Sequence, residues 1–201
     1  MPDRPKDEVR GCSDLDNTVF QTDKALEDGC RKIGLEYDTQ YKYGDLEKLF
    51  PERKERIKEL FHSAELVQNM RFHQDAKECL MWLRSKCKLR FGSGRSKKVL
   101  DPTKKALAEL GDLPIDLYGW KERLNGKLAS TFLHDLDFFI EDDPEIALVI
   151  AKKKPGITVI LFDPEKQFLG KRYNHENLLN FSSWMEIWEF FRFYFEDEDP
   201  Q

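Results

Sequence analysis

The chain has 201 residues, 40% of them hydrophobic and 35% charged, with 11 Gly and 9 Pro. At this length folding hides roughly 70% of the unfolded chain's surface, so a core forms without disulfide or metal staples, and collagen-like and low-complexity chains are excluded. Asp plus Glu (38) outnumber Lys plus Arg (33), giving a formal charge of -5 and no broad basic face for duplex nucleic acid, so any phosphate binding must be local. Cys12, Cys30, Cys79 and Cys87 form no C-x-x-C pair, which argues against a zinc ribbon or a dithiol redox motif. The opening residues lack the apolar stretch of a signal peptide, and no run reaches the ~20 apolar residues of a membrane span. A cytoplasmic location with reduced thiols is the expectation.

Residues 9–13 read as a short first strand, a poor one because Arg10 and Ser13 interrupt its apolar character, running into Asp14-Leu15-Asp16-Asn17-Thr18. Ala25, Leu26, Cys30 and Ile33 then recur at helical spacing, with Thr22 or Asp23 as N-cap and Gly34 as the stop. After Pro51 a further helix places Ile57, Leu60, Phe61 and Ala64 on one face. Residues 20–72 thus form a helical insertion. Residues 75–86 predict a helix with Ala76, Cys79, Leu80 and Leu83 inward, feeding a strand at 88–91 that ends in Gly92-Ser93-Gly94-Arg95. A helix over 97–110 and a strand over 115–118 follow. The two clearest strands come later: one over 137–140 leading into Glu141-Asp142-Asp143-Pro144, a helix over 144–153, and a second over 157–162. Trp184, Ile187, Trp188 and Phe191 mark a last amphipathic helix over 182–195. Alternating strands and helices predict an α/β fold: a Rossmann-like parallel sheet of about five strands with helices on both faces, plus a small α-helical cap inserted after the first strand. The expected division is a core of residues 1–19 and 73–201 and a cap of residues 20–72.

Ligand chemistry in such sheets belongs at the carboxyl ends of the strands. Three predicted strand ends carry polar groups of one kind: Asp14 and Asp16, then Ser93, then Asp142 and Asp143. A D-x-D-x-T match alone is weak, and the order and context lift it. Four carboxylates at one sheet edge stay ionised together only around a divalent cation, and an oxygen-only donor set without His argues for Mg²⁺ rather than zinc. His62, His73, His134 and His175 are scattered and read as surface or structural residues. Ser93 and the backbone N–H groups near Gly94 suit an anion cradle, and Arg95 is either a phosphate contact or a solvated residue at a helix start.

This constellation resembles the haloacid dehalogenase-like hydrolase superfamily over nearly the whole chain. Its D-x-D-x-T motif matches residues 14–18, its strand ending in Ser or Thr matches residues 89–93, and its strand ending in an acidic pair matches residues 138–143. The resemblance implies that Asp14 is the nucleophile that accepts a phosphoryl group and Asp16 the general acid and base. It implies that Mg²⁺ is held by the Asp14 carboxylate, the Asp16 main-chain carbonyl and Asp142. Asp143 either supports this site or caps the helix that begins at Pro144, and Asp142 is a better ligand than Glu141. The family's phosphate-binding Lys matches Lys127, with Lys121 as the alternative. Residues 156–164, then Asn174 and Ser183-Trp184-Met185-Glu186-Ile187, together with Phe139-Ile140-Glu141-Asp142 before a Pro-Glu, are similar to cytosolic 5'-deoxynucleotidase-like phosphatases, which implies a nucleoside monophosphate substrate and base stacking on cap aromatics such as Phe20, Tyr41 or Tyr43. Asn17-Thr18-Val19 and Gly92-Ser93-Gly94 depart from that subgroup's motifs. Two further readings stand beside it: a phosphatase of sugar phosphates or phosphoproteins, and a catalytically silent domain that binds a phosphorylated ligand.

Overall fold

The computed structural model describes residues 5, 8–36, 46, 48–119, 135–166 and 175–196. Within them one sheet runs in the order β3-β2-β1-β4-β5-β6 with every neighbouring pair parallel. The strands are β1 (Arg10–Asp14), β2 (Lys88–Ser93), β3 (Leu117–Gly119), β4 (Phe138–Glu141), β5 (Thr158–Phe162) and β6 (Leu178–Phe181). This is the α/β parallel sheet expected, with six strands where about five were predicted. The strand not foreseen is β6, a four-residue edge strand in which Asn180 is exposed, so no apolar run announces it.

The sheet is covered on both faces because the central strands alternate two sets of apolar side chains. Phe138, Ile140, Ile160 and Phe162 join one core with α4 (Ala76–Lys86) and α7 (Trp184–Glu196). Phe139, Val159 and Leu161 join the other, against Ile146, Ala147, Ile150 and Ala151 of α6 (Pro144–Lys153). Such double burial is why β4 and β5 read as unbroken apolar runs.

β1 is central despite its polar sequence, and the neighbours explain each residue. Gly11 lies under the Phe138 ring, where a Cβ would come within 1.9 Å of ring carbon. The backbone N–H of Arg10 donates to Asp137 Oδ2 at 2.8 Å, and Ser13 Oγ donates to the Asp14 carbonyl at 2.8 Å. Position 11 therefore needs glycine for a close aromatic approach rather than for a turn.

The insertion contains α1 (Thr22–Lys32), α2 (Lys54–Phe61) and α3 (Ala64–Asn69). Ala25, Leu26, Cys30, Leu46, Ile57 and Leu66 form a hydrophobic cluster of their own. Two sequence expectations are corrected here. The stretch after Pro51 is a 3₁₀ turn and two helices, because Ser63 accepts the Leu66 N–H at 3.1 Å and starts a new helix, leaving Ala64 exposed rather than on the face of Ile57. The α1 N-cap is Gln21, since Thr22 and Asp23 lie inside the helix and bond residues 16 and 17 instead. Residues 97–110 form α5 (Leu100–Leu107) between two 3₁₀ turns. Among the described residues no helix is long and apolar enough to cross a membrane.

Candidate active site

β1 and β4 are neighbours, and the chain leaves them in opposite directions, β1 toward β2 and β3, β4 toward β5 and β6. A crevice opens at the carboxyl ends of strands at such a switch point. Asp14 ends β1, Ser93 ends β2 and Glu141 ends β4, with Asp142 following, so all of these side chains are set by strand register rather than by a long loop.

Carboxylate oxygens of Asp14, Glu141 and Asp142 all lie within 4.8 Å of one another. Asp14 and Glu141 are buried, and Asp142 is half-buried. Three ionised carboxylates at that spacing repel by about 3–4 kcal/mol per pair at an effective dielectric of ~20. A hard divalent cation would relieve this, and an all-oxygen donor set suits Mg²⁺. Thr18 Oγ1 donates to Asp142 Oδ1 at 3.1 Å, and the Thr18 carbonyl accepts the Trp184 indole N–H at 3.0 Å. The last helix thus braces the loop after β1, which in turn orients an acidic group at the end of β4.

Asp16 and Asp143, expected beside the cluster, direct their side chains elsewhere. Asp143 Oδ1 accepts the N–H groups of Glu145 at 3.0 Å and Ile146 at 3.2 Å, the N-cap of α6, and Glu141 Oε1 accepts the Asp143 N–H at 3.3 Å. Glu141, ranked below Asp142 from the sequence, joins the cluster where Asp143 does not. The acidic run at 141–143 offered all three residues, and only the turn out of β4 decides which of them face Asp14.

Asp16 Oδ1 accepts Thr22 Oγ1 at 2.9 Å, Arg95 Nε at 2.9 Å and Arg95 Nη2 at 2.7 Å. Arg95 is therefore not a solvated residue at a helix start: it is buried, with its guanidinium 5.0 Å from the Phe61 ring centre and Nη2 3.0 Å from Met70 Sδ. Its backbone N–H donates to Ser93 Oγ at 3.2 Å, which folds the Ser93-Gly94-Arg95 turn, with Gly94 exposed at its tip. Asn17 adopts φ 60°, a left-handed conformation Asn tolerates, and its side-chain amide exchanges two 2.8 Å hydrogen bonds with Asp23. The turn after β1 is thereby tied to the first helix of the insertion. Lys127 and Lys121 lie outside the described residues, as do Tyr41, Tyr43 and Asn174. Phe20 is buried and packs at a tilt against Phe72, ring centres 4.7 Å apart, so its ring belongs to the core rather than to a substrate base.

His73 lies behind the site, its ring 4.9 Å from that of Phe162. Burial pushes its imidazole down to about 4, against a hydrogen bond to the Asn17 backbone that acts the other way. Cys79 and Cys87 are pushed up to about 12 by burial, which excludes them as thiolate nucleophiles near neutral pH.

No family model and no curated protein matches the sequence. Solved structures do. A haloacid dehalogenase-like hydrolase from Streptococcus pneumoniae superposes with a TM-score of 0.60 at 14% identity, covering 92% of this chain and 99% of that one. The HAD-hydrolase YfnB from Bacillus subtilis, bound to magnesium, gives 0.61 at 12% identity over 92% and 99%. A dehalogenase gives 0.61 at 13% over 90% and 96%. The chain has the haloacid dehalogenase-like hydrolase fold.

Proposed function

We propose that this protein is a Mg²⁺-dependent phosphomonoester hydrolase that works through an aspartyl-phosphate on Asp14. The observation that carries the reading is the meeting of Asp14 with Glu141 and Asp142 within 4.8 Å at the switch point of the sheet. Asp14, Asp142 and Glu141, with the Asp16 carbonyl, would hold the cation, which when bound offsets the like charge between a carboxylate nucleophile and a phosphate ester.

The residues then divide the chemistry. An Asp14 carboxylate oxygen attacks phosphorus, and the ester P–O bond breaks as Asp16 gives its proton to the departing oxygen. Ser93 Oγ and the backbone N–H of Gly94 bind the phosphoryl oxygens, with Lys127 as the proposed cationic partner and Lys121 as its alternative. Asp16 next takes a proton from the water that attacks phosphorus, so inorganic phosphate leaves and both carboxyl groups return to their starting states. A carboxyl group two residues beyond the nucleophile favours phosphate esters over haloacids. An alkoxide needs a proton to depart, whereas a halide does not.

The insertion of residues 20–72 is proposed as the cap that selects a small phosphorylated substrate. Phe61, His62 and Met70 bring it against Arg95 and Ser96, since His62 Nδ1 accepts the Ser96 N–H at 3.2 Å. The nucleotide assignment now rests on the sequence similarity of those later segments and on Tyr41 or Tyr43, because Phe20 is committed to packing. A panel of nucleoside, sugar and protein phosphates, run with Mg²⁺, chooses among these substrates. The reaction class is tested by turnover in ¹⁸O-labelled water under single-turnover conditions. Label entering phosphate supports the reading, and label entering the Asp14 carboxyl group, as ester hydrolysis at carbon would give, overturns it.

A further inference from the structure

This inference deepens the phosphomonoesterase reading and rests on it: it concerns which oxygen of Asp16 handles the proton. Oδ1 already accepts three donors, Thr22 Oγ1, Arg95 Nε and Arg95 Nη2, between 2.7 and 2.9 Å. These three donors occupy Oδ1, so of the two oxygens only Oδ2 is left open to a new partner. No described residue donates to Oδ2, and the Asp16 side chain keeps 19% of its exposure while that of Arg95 keeps 1%.

We propose that Arg95 is a positioning residue for Asp16, pinning Oδ1 so that Oδ2 alone exchanges the proton with the leaving oxygen and then with water. The pair spans 79 residues of chain, and its surroundings bury the guanidinium while leaving the carboxylate half-buried. The Phe61 ring and Met70 Sδ of the insertion lie on the guanidinium, and the Arg95 backbone N–H is anchored on Ser93 Oγ. Arg95 Nη1 is buried without a hydrogen-bond partner among the described residues. Burying an incompletely satisfied cation is costly, and a Leu or Met would fill that space without the cost. A guanidinium there is explained by what it does to Asp16. An arginine serving only as a phosphate contact would keep its donors for the phosphate, whereas this one commits Nε and Nη2 to a single carboxylate oxygen.

The test separates positioning from phosphate binding and from bulk structure by the leaving group. p-Nitrophenolate departs without a proton, whereas the alkoxide of glycerol 2-phosphate requires one. With the full chain and Mg²⁺, kcat and KM are measured on both substrates for wild type, Arg95→Met and Arg95→Lys. Arg95→Met is expected to lose about 10- to 100-fold more kcat on glycerol 2-phosphate than on p-nitrophenyl phosphate, part of the 10²–10⁴ that a general acid supplies. Its KM should change little, and Arg95→Lys should recover part of the selective loss. Equal losses on the two substrates, or a loss carried by KM, overturn the positioning role while leaving the phosphatase reading in place. A wild type that hydrolyses neither ester overturns both. If Arg95→Met shows no cooperative thermal transition, Arg95→Lys decides: a selective loss on the alkyl ester supports the proposal and an even loss sinks it.

Discussion

Removing one charge from the acidic cluster is expected to make the metal-free protein more stable and to blunt the proposed response to Mg²⁺. In Asp142→Asn the side chain keeps its shape and the Oδ1 acceptor for Thr18, so the change is electrostatic. Two carboxylate pairs within 4.8 Å disappear, each worth about 3.5 kcal/mol at an effective dielectric of ~20 if fully ionised. Their sum overstates the gain, because a carboxyl group of ordinary acidity escapes repulsion at pH 7 by taking a proton at a cost of about 4 kcal/mol. That cost is the ceiling, and donors such as Thr18 lower it further. The expected gain in EDTA is about 2 kcal/mol, or roughly 4–8 °C in Tm for a domain of this size. Wild type should instead gain about 2.7 kcal/mol when Mg²⁺ reaches 100 times its Kd, a rise the variant should largely lack. Thermal unfolding in EDTA and along a Mg²⁺ titration reads both effects. A variant less stable than wild type in EDTA, with an undiminished Mg²⁺ response, would refute the reasoning.

The other predictions probe the scaffold around the cluster. Gly11→Ala forces a methyl into the Phe138 ring, so urea unfolding should show a loss of about 2–3 kcal/mol from overpacking; a neutral result would mean that β1 and β4 can part without cost. Trp184→Phe removes the indole donor to the Thr18 carbonyl. It should cost about 1–2 kcal/mol in stability and lower turnover, and full activity would disconnect α7 from the site. For His73, held neutral with its imidazole at about 4 against an ordinary 6.5, the unfolded chain binds the extra proton between those values. Stability must therefore fall as pH drops from about 6.5 to 4 and level off below. Comparing unfolding free energies at pH 7 and 4.5, wild type should lose about 2 kcal/mol more than His73→Gln, and equal losses would move the acid sensitivity to other groups.

How much of this was legible in the sequence depends on the range of the interactions. β4 and β5 were readable because both of their faces are buried, and α4 and α7 because their inward residues keep helical spacing. β1 looked weak for a reason no local pattern holds: Gly11 answers to Phe138, far along the chain. β6 was invisible as a short, half-exposed edge. Asp14, Ser93 and Asp142 were placed by motif order, which fixes strand ends. The partition of the remaining acidic residues was not, because Asp16 is claimed by Arg95 and Asp143 by the N-terminus of α6. The link between Thr18 and Trp184 gave no signal, since it is a single hydrogen bond across 166 positions.

The most direct test of the central claim is to catch the covalent state. Wild type mixed with a phosphate ester and Mg²⁺, quenched in acid within the first turnover and digested, should yield one peptide containing Asp14 that carries a phosphoryl group labile to hydroxylamine. Asp14→Asn should yield none and should have lost turnover. Steady hydrolysis with Asp14 unmodified at every quench time, or undiminished turnover by Asp14→Asn, would contradict the account.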